Sequence, residues 1–259
     1  MTIADLLDLM RRLRDPAGGC PWDRAQTFRT IAPYTLEEAY EVVDAIERDD
    51  LGELCGELGD LLFQVIFHAR LAEEQGAFAF ADVVATLGDK LIRRHPHLFG
   101  GQPVALDAAA VAGAWEVEKA RERAGRGKLS VMDDVPVGLP ALARAAKLGR
   151  RAARVGFDWP DPSGARAKVA EELAEVDEAV ATGDRAGIEA ELGDLLFACT
   201  NLARHHDVDP EAALRGASRR FEQRFRYVES RQQAAGTEVP LETLEAWWQD
   251  AKRAERGDA

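Results

Sequence analysis

Eight acidic side chains in two sets of four are the residues best placed to do chemistry. In the later set, Glu172 and Glu175 stand three apart, and so do Glu191 and Asp194. Residues three apart on a helix share a side. Apolar Val169, Leu173, Val176 and Val180 recur at helical spacing around the first pair, and Ile188, Leu192, Leu195 and Cys199 around the second. Thr182-Gly183-Asp184 supplies a turn and an N-cap between them. The stretch predicts an antiparallel helical hairpin that brings the two pairs opposite each other.

Two carboxylates about 4 Å apart repel by about 4 kcal/mol at an effective dielectric near 20. Four converging carboxylates are tolerated when divalent cations fill the gap, and oxygen-only ligands select Mg²⁺, for which Mn²⁺ can substitute. The competing interpretation is a solvated acidic face, common on Glu-rich helices. Repetition favours a site. Glu37-Glu38-Ala39-Tyr40-Glu41 and Glu57-Leu58-Gly59-Asp60 repeat the composition in the same order, and Glu38 precedes Glu57 by the same interval that separates Glu172 from Glu191. Thr35-Leu36-Glu37-Glu38 also fits a capping box, which would explain Glu38 by helix capping alone. No Ser or Thr stands three residues before Glu172.

The elements that must position these groups are helical throughout. Helices are expected over Ala4–Leu13, Thr35–Glu47, near Asp50 to Gln75, Phe80–Arg94, Val111–Arg123, Leu139–Arg154, the hairpin, Pro210–Gln233 and Leu241–Glu255. His95-Pro96-His97 reads as a helix-end turn, and Gly100 to Pro103 as a loop. Leu61, Leu62, Phe63, Val65, Ile66 and Phe67 make their helix apolar nearly all round, which implies further helices and a second subunit packed against it. Cys199 falls on an apolar stripe and reads as core packing. No period-two run persists. The fold class is all-α: two tandem copies of a four-helix-bundle-type unit, with bundles completed by oligomerisation. The copies are placed at 1–124 and 138–259, with 125–137 as linker, beginning Gly125-Arg126-Gly127-Lys128-Leu129-Ser130.

Aligning the halves matches Lys90 and Arg94 with Arg220 and Arg224, each pair at i, i+4, and Trp115 and Lys119 with Trp248 and Lys252. Arg220, Arg224 and Lys252 suit phosphate oxygens, and Trp248 suits stacking on a base. The set describes a metal–nucleotide site. There, carboxylates position ions that activate water and stabilise charge on a cleaved phosphoanhydride. One of the four, or neighbouring Glu171, orients the water or takes its proton.

Composition narrows the classes. A formal charge of −13 over 259 residues argues against binding duplex nucleic acid, which requires basic patches. No basic region followed by an apolar run opens the chain, and no apolar stretch approaches membrane-spanning length, so a soluble cytoplasmic protein is expected. Cys20, Cys55 and Cys199 form no C-x-x-C pair and support neither a disulfide framework nor a zinc site. No G-x-x-x-x-G-K-[ST] loop is present. Glu-x-x-Glu and Glu-x-x-Asp in place of Glu-x-x-His disfavour a di-iron bundle.

The doubled E-E-x-x-E … E-x-x-D pattern, with Cys20-Pro21-Trp22-Asp23 and Gly156-Phe157-Asp158-Trp159, resembles the MazG-type, all-α nucleoside triphosphate pyrophosphohydrolases over essentially the full chain. The resemblance implies Mg²⁺-dependent hydrolysis of an NTP or dNTP to the monophosphate plus pyrophosphate, by a homodimer or larger assembly. It implies Glu172, Glu175, Glu191 and Asp194 as metal ligands, with Glu38, Glu41, Glu57 and Asp60 in the first copy. It implies Lys168, Arg220, Arg224, Trp248 and Lys252 as nucleotide contacts. The second copy is favoured as the active one. Two alternatives stay open: a non-catalytic helical scaffold, and a relative restricted to dUTP, dCTP or phosphoribosyl-ATP.

Overall fold

Every regular element among the described residues is an α-helix. The computed structural model describes residues 1–100, 107–125, 130–236 and 238–256, with backbone only at 108–110, 112, 116, 119, 123, 124 and 256. Residues 101–103 of the expected loop, residues 126–129 of the expected linker, and the side chain of Lys119 lie outside the described residues. The helices run α1 Ile3–Leu13, α2 Pro21–Ala25, α3 Phe28–Glu47, α4 Leu51–Glu74, α5 Phe80–Arg94, α6 Pro96–Phe99, α7 Ala108–Gly125, α8 Ala141–Ala153, α9 Pro162–Thr182, α10 Arg185–His205, α11 Pro210–Ala235 and α12 Leu241–Arg256. They fall into two compact units, Met1–Ala120 and Arg121–Ala259.

In the first unit α3 and α4 pack as a hairpin, with α1 and α5 against α4. Met10, Ile31, Ile66, Phe67 and Leu71 are buried together, and Leu6, Phe28 and Leu62 pack onto them. Each such side chain stabilises the fold by roughly 1.5–3 kcal/mol. Arg14 pins the segment after α1 to this core. Its guanidinium donates to Glu74 Oε1 and Oε2 at 2.9 and 2.7 Å, to the Asp23 and Gln26 carbonyls, and lies over the Phe67 ring.

α3 starts seven residues before the expected Thr35. Thr27 caps it by accepting from the Thr30 amide, and Pro33 lies inside the helix. Burial of Ile31 and Phe28 carries the chain through a proline that would otherwise break a helix. The Thr35 capping box therefore does not exist. Thr35 is interior to the helix, and its hydroxyl bonds the Ile31 carbonyl and His68 Nε2 at 3.0 Å. Capping gives no account of Glu38.

In the second unit α9 and α10 form the matching hairpin, α8 packs on α10, and α11 packs on α12. Gly183 closes α9 in the left-handed region at φ 70°, and Asp184 caps α10 by accepting from the Ala186 amide, as the turn Thr182-Gly183-Asp184 predicts. Small buried residues, Ala146, Ala165 and Ala198, let the helices approach closely. Buried Arg151 of α8 donates to the Val131 and Asp133 carbonyls and holds the preceding segment in place.

Large apolar side chains stay uncovered on both hairpins: Leu58 and Phe63 on α4, Leu173 on α9, Leu192 and Leu196 on α10. Cys199 is exposed on the same stripe of α10, not in a core. No neighbour among the described residues covers this stripe. Among the described residues no helix is long and apolar enough to cross a membrane.

Candidate functional site

Helical periodicity builds the site. Lys168, Glu171, Glu172 and Glu175 fall on one stripe of α9, and Glu191 and Asp194 share a side of α10. The Gly183–Asp184 turn sets the register that puts the stripes opposite each other. One carboxylate oxygen each from Glu172, Glu175 and Glu191 lies within 4.8 Å of the others. Glu38, Glu41 and Glu57 form the same trio in the first unit. Asp60 and Asp194 stand outside these trios.

Crowding is written into the acidities. Partial desolvation, then the charges of Asp60 and Glu41, raises the Glu38 carboxyl above its ordinary pKa. Desolvation, then Glu41, Glu53 and Asp60, raises Glu57. Desolvation and the Glu172 charge raise Glu175, with Lys168 opposing. Each trio is thus an excess of negative charge on oxygen donors, which fits a hard divalent cation.

The two copies differ in what surrounds the trio. Lys168 Nζ lies 2.5 Å from Glu172 Oε1 and 2.8 Å from Glu171 Oε1, which raises the lysine pKa. Glu172 is 4% exposed. Beside it opens a cavity of about 600 Å³, lined by Lys168, Glu172 and Asp194 at one part and by Leu148, Trp159 and Phe197 elsewhere. In the first unit Gln64 is buried and its amide donates to Glu38 at 3.3 Å. The matching residue in α10 is Ala198, which lines the cavity.

Of the remaining expected nucleotide contacts, Arg224 and Trp248 lie together, apart from the cavity. Arg224 binds Glu255 through Nε and Nη2 at 3.0 and 2.7 Å and sits over the Trp248 ring at 5.7 Å. Phe221 packs on the same ring. Neither these residues nor Arg220 and Lys252 line the cavity. Trp115 packs against His95, whose Nδ1 bonds the Leu91 carbonyl, so the His95-Pro96-His97 pair serves the end of α5. Sequence reading did not single out Asn201 and Arg204, which line the cavity with Trp159. One signal for Asn201 was available: it lies two helical turns beyond Asp194 on the same stripe.

A model of the MazG nucleotide pyrophosphohydrolase domain matches residues 26–99 and 161–228, the segments that hold the two trios. A curated nucleoside triphosphate pyrophosphohydrolase of Escherichia coli (strain K12) is 52% identical over 96% of this chain and 97% of its own. A nucleoside triphosphate pyrophosphohydrolase/pyrophosphatase MazG of Thermotoga maritima is 44% identical over 96% and 94%. The crystal structure of a mazG-related protein from Thermotoga maritima aligns at 24% identity and a TM-score of 0.39, covering 46% of this chain and 99% of that one. This chain belongs to the MazG nucleotide pyrophosphohydrolase family and carries its domain twice.

Proposed function

We propose that this protein hydrolyses nucleoside triphosphates to the monophosphate and pyrophosphate, and that the second copy is the active one. The observation that carries the reading is the Glu172–Glu175–Glu191 trio, balanced by Lys168 and opening on a cavity. The names of the relatives at 52% and 44% identity support the reaction class. Glu172, Glu175, Glu191 and Asp194 would hold divalent cation, Mg²⁺ or Mn²⁺ by donor type. When bound, the cation neutralises phosphate oxygens and acidifies water.

The chain's own groups do the rest. Lys168, now paired with Glu172 and Glu171, places its ammonium where the triphosphate must lie and offsets phosphate charge. Glu171 is exposed and adjacent; it orients the attacking water and takes its proton as the α–β phosphoanhydride breaks and pyrophosphate leaves. Arg220, Arg224 and Lys252 contact outer phosphates, Arg224 exchanging Glu255 for phosphate, while Trp248 supports Arg224 from below.

Glu38, Glu41, Glu57 and Asp60 hold cation in the first copy without a lysine. The copies span 1–124 and 138–259 around a linker at 125–137. The uncovered stripe of Leu192, Leu196 and Cys199 is where a second subunit completes the bundle. The test is product analysis with a panel of NTPs and dNTPs. Pyrophosphate is expected with Mg²⁺ and not with EDTA; no metal-dependent turnover on any nucleotide would leave a helical scaffold instead.

A further inference from the structure

A cavity of about 600 Å³ falls in the range of small-molecule sites, roughly 300–1,000 Å³. Charge occupies one part of its lining, and most of the remainder is apolar. Two of its walls are fixed by specific contacts. Gly164, in the first turn of α9, has no side chain where the Trp159 indole lies: a Cβ there would sit 2.2 Å from Cδ1 of the ring. Asp158, the residue before it, is gripped by Arg204 at 2.8 and 2.5 Å and bonds His205 Nε2 at 3.0 Å. Trp159 is therefore a pre-set aromatic wall.

The second fixed group is Asn201. Its Oδ1 accepts from Arg204 Nε at 2.8 Å. That leaves Nδ2 without a hydrogen bond among the described residues, so the lining carries two free amide hydrogens. Gly149 of α8 makes room for this pair; a Cβ there would lie 3.3 Å from Asn201 Oδ1.

We propose that this cavity takes the base of the substrate, with Trp159 stacking on it and Asn201 donating to an oxygen on its edge. The inference rests on the hydrolase reading above. A triphosphate held at Lys168 and the carboxylates leaves only one flat, largely apolar part of the molecule to fill an apolar cavity beside them. Trp248 is not available for that role here: Phe221 and Arg224 already cover it. Stacking tolerates every base, because every base has a π-face. Discrimination falls to Asn201, whose donors match a ring-edge carbonyl and oppose an exocyclic amine, so uracil is favoured over cytosine and guanine over adenine.

The experiment uses the full-length protein with Mg²⁺, UTP, CTP and inorganic tripolyphosphate, which has no base. Trp159→Ala should raise KM for UTP about tenfold while inhibition by tripolyphosphate is unchanged, and Trp159→Phe should recover most of the loss. Asn201→Asp should lower the UTP-to-CTP ratio of kcat/KM by about tenfold. A Trp159→Ala change that weakens UTP and tripolyphosphate equally, an unchanged KM for UTP, or an unchanged UTP-to-CTP ratio overturns the proposal. If the unmutated protein turns over no nucleotide, the hydrolase reading fails by itself. The pocket is then decided by calorimetry with uridine: binding lost in Trp159→Ala upholds it, and no binding ends it.

Discussion

The Lys168 ammonium lies 2.5 Å from Glu172 Oε1, and Tyr34 occupies the matching place four residues before Glu38. Tyr34 meets Trp22 edge-on and supplies no charge. Four residues beyond the second acidic pair, the first copy carries Gln64, hydrogen-bonded to Glu38, where the second carries Ala198 beside open space. One copy thus has a cation and room for a ligand, and the other has an amide in that room. This contrast supports the proposed ranking of the copies, for which the capping argument gives no ground.

Glu172→Gln is expected to lower the initial rate of pyrophosphate release about a hundredfold, and Glu38→Gln by less than about threefold. Equal losses would reverse the ranking.

Ionised Glu175 is disfavoured by desolvation and by Glu172. Glu175→Gln should therefore raise the melting temperature of the metal-free protein while lowering activity, because a site that concentrates charge for binding trades stability for function. Differential scanning calorimetry in EDTA checks the sign. A lower Tm would show that the trio is held apart more than its acidities indicate.

The raised carboxyls make stability depend on pH in a definite direction. Glu38, Glu57 and Glu175 carry no cost when protonated in both states, below about pH 4.3. Their destabilising repulsion appears as pH rises through the raised folded values. Glu74 and Asp158, lowered by Arg14 and Arg204, act oppositely: their stabilisation is present above the ordinary carboxylate range and lost as pH falls. Millimolar Mg²⁺ should raise Tm, and by more at pH 7.5 than at pH 5, since metal competes with protons for the trios. Equal increments at both pH values would mean that the ion binds elsewhere.

Arg14→Ala should cost about 3 kcal/mol in urea unfolding, at the low end for a broken buried pair. Arg70 still holds Glu74 at 2.9 Å, so the main penalty is the orphaned carbonyls of Asp23 and Gln26. A change under about 0.5 kcal/mol would remove Arg14 from the core of the first unit.

Leu192→Asp with Leu196→Asp places two charges on the uncovered α10 stripe. Light scattering should show an assembly for the unmutated protein and monomer for the double variant, with activity falling in parallel. A monomeric unmutated protein would leave that stripe without its proposed cover.

Much of this protein was legible from residue order. The helical period of Val169, Leu173 and Val176, the Gly183 turn and the equal spacing of the two acidic sets required a repeated hairpin with converging carboxylates. These are local properties, set by a fixed rise per residue and by short-range capping. The sequence misled where distant contacts outweighed local ones. The Thr35 capping box marked a helix start, yet core burial of Ile31 carried α3 back to Phe28. Cys199 carried a core pattern but is exposed among the described residues. Only the tertiary structure decided that Asp60 and Asp194 stand outside the close trios, that Trp248 is covered by its own hairpin, and that Trp159 rests on Gly164 beside Asn201. Those outcomes depend on which side chain fills the space next to another, and spacing along one helix does not encode that.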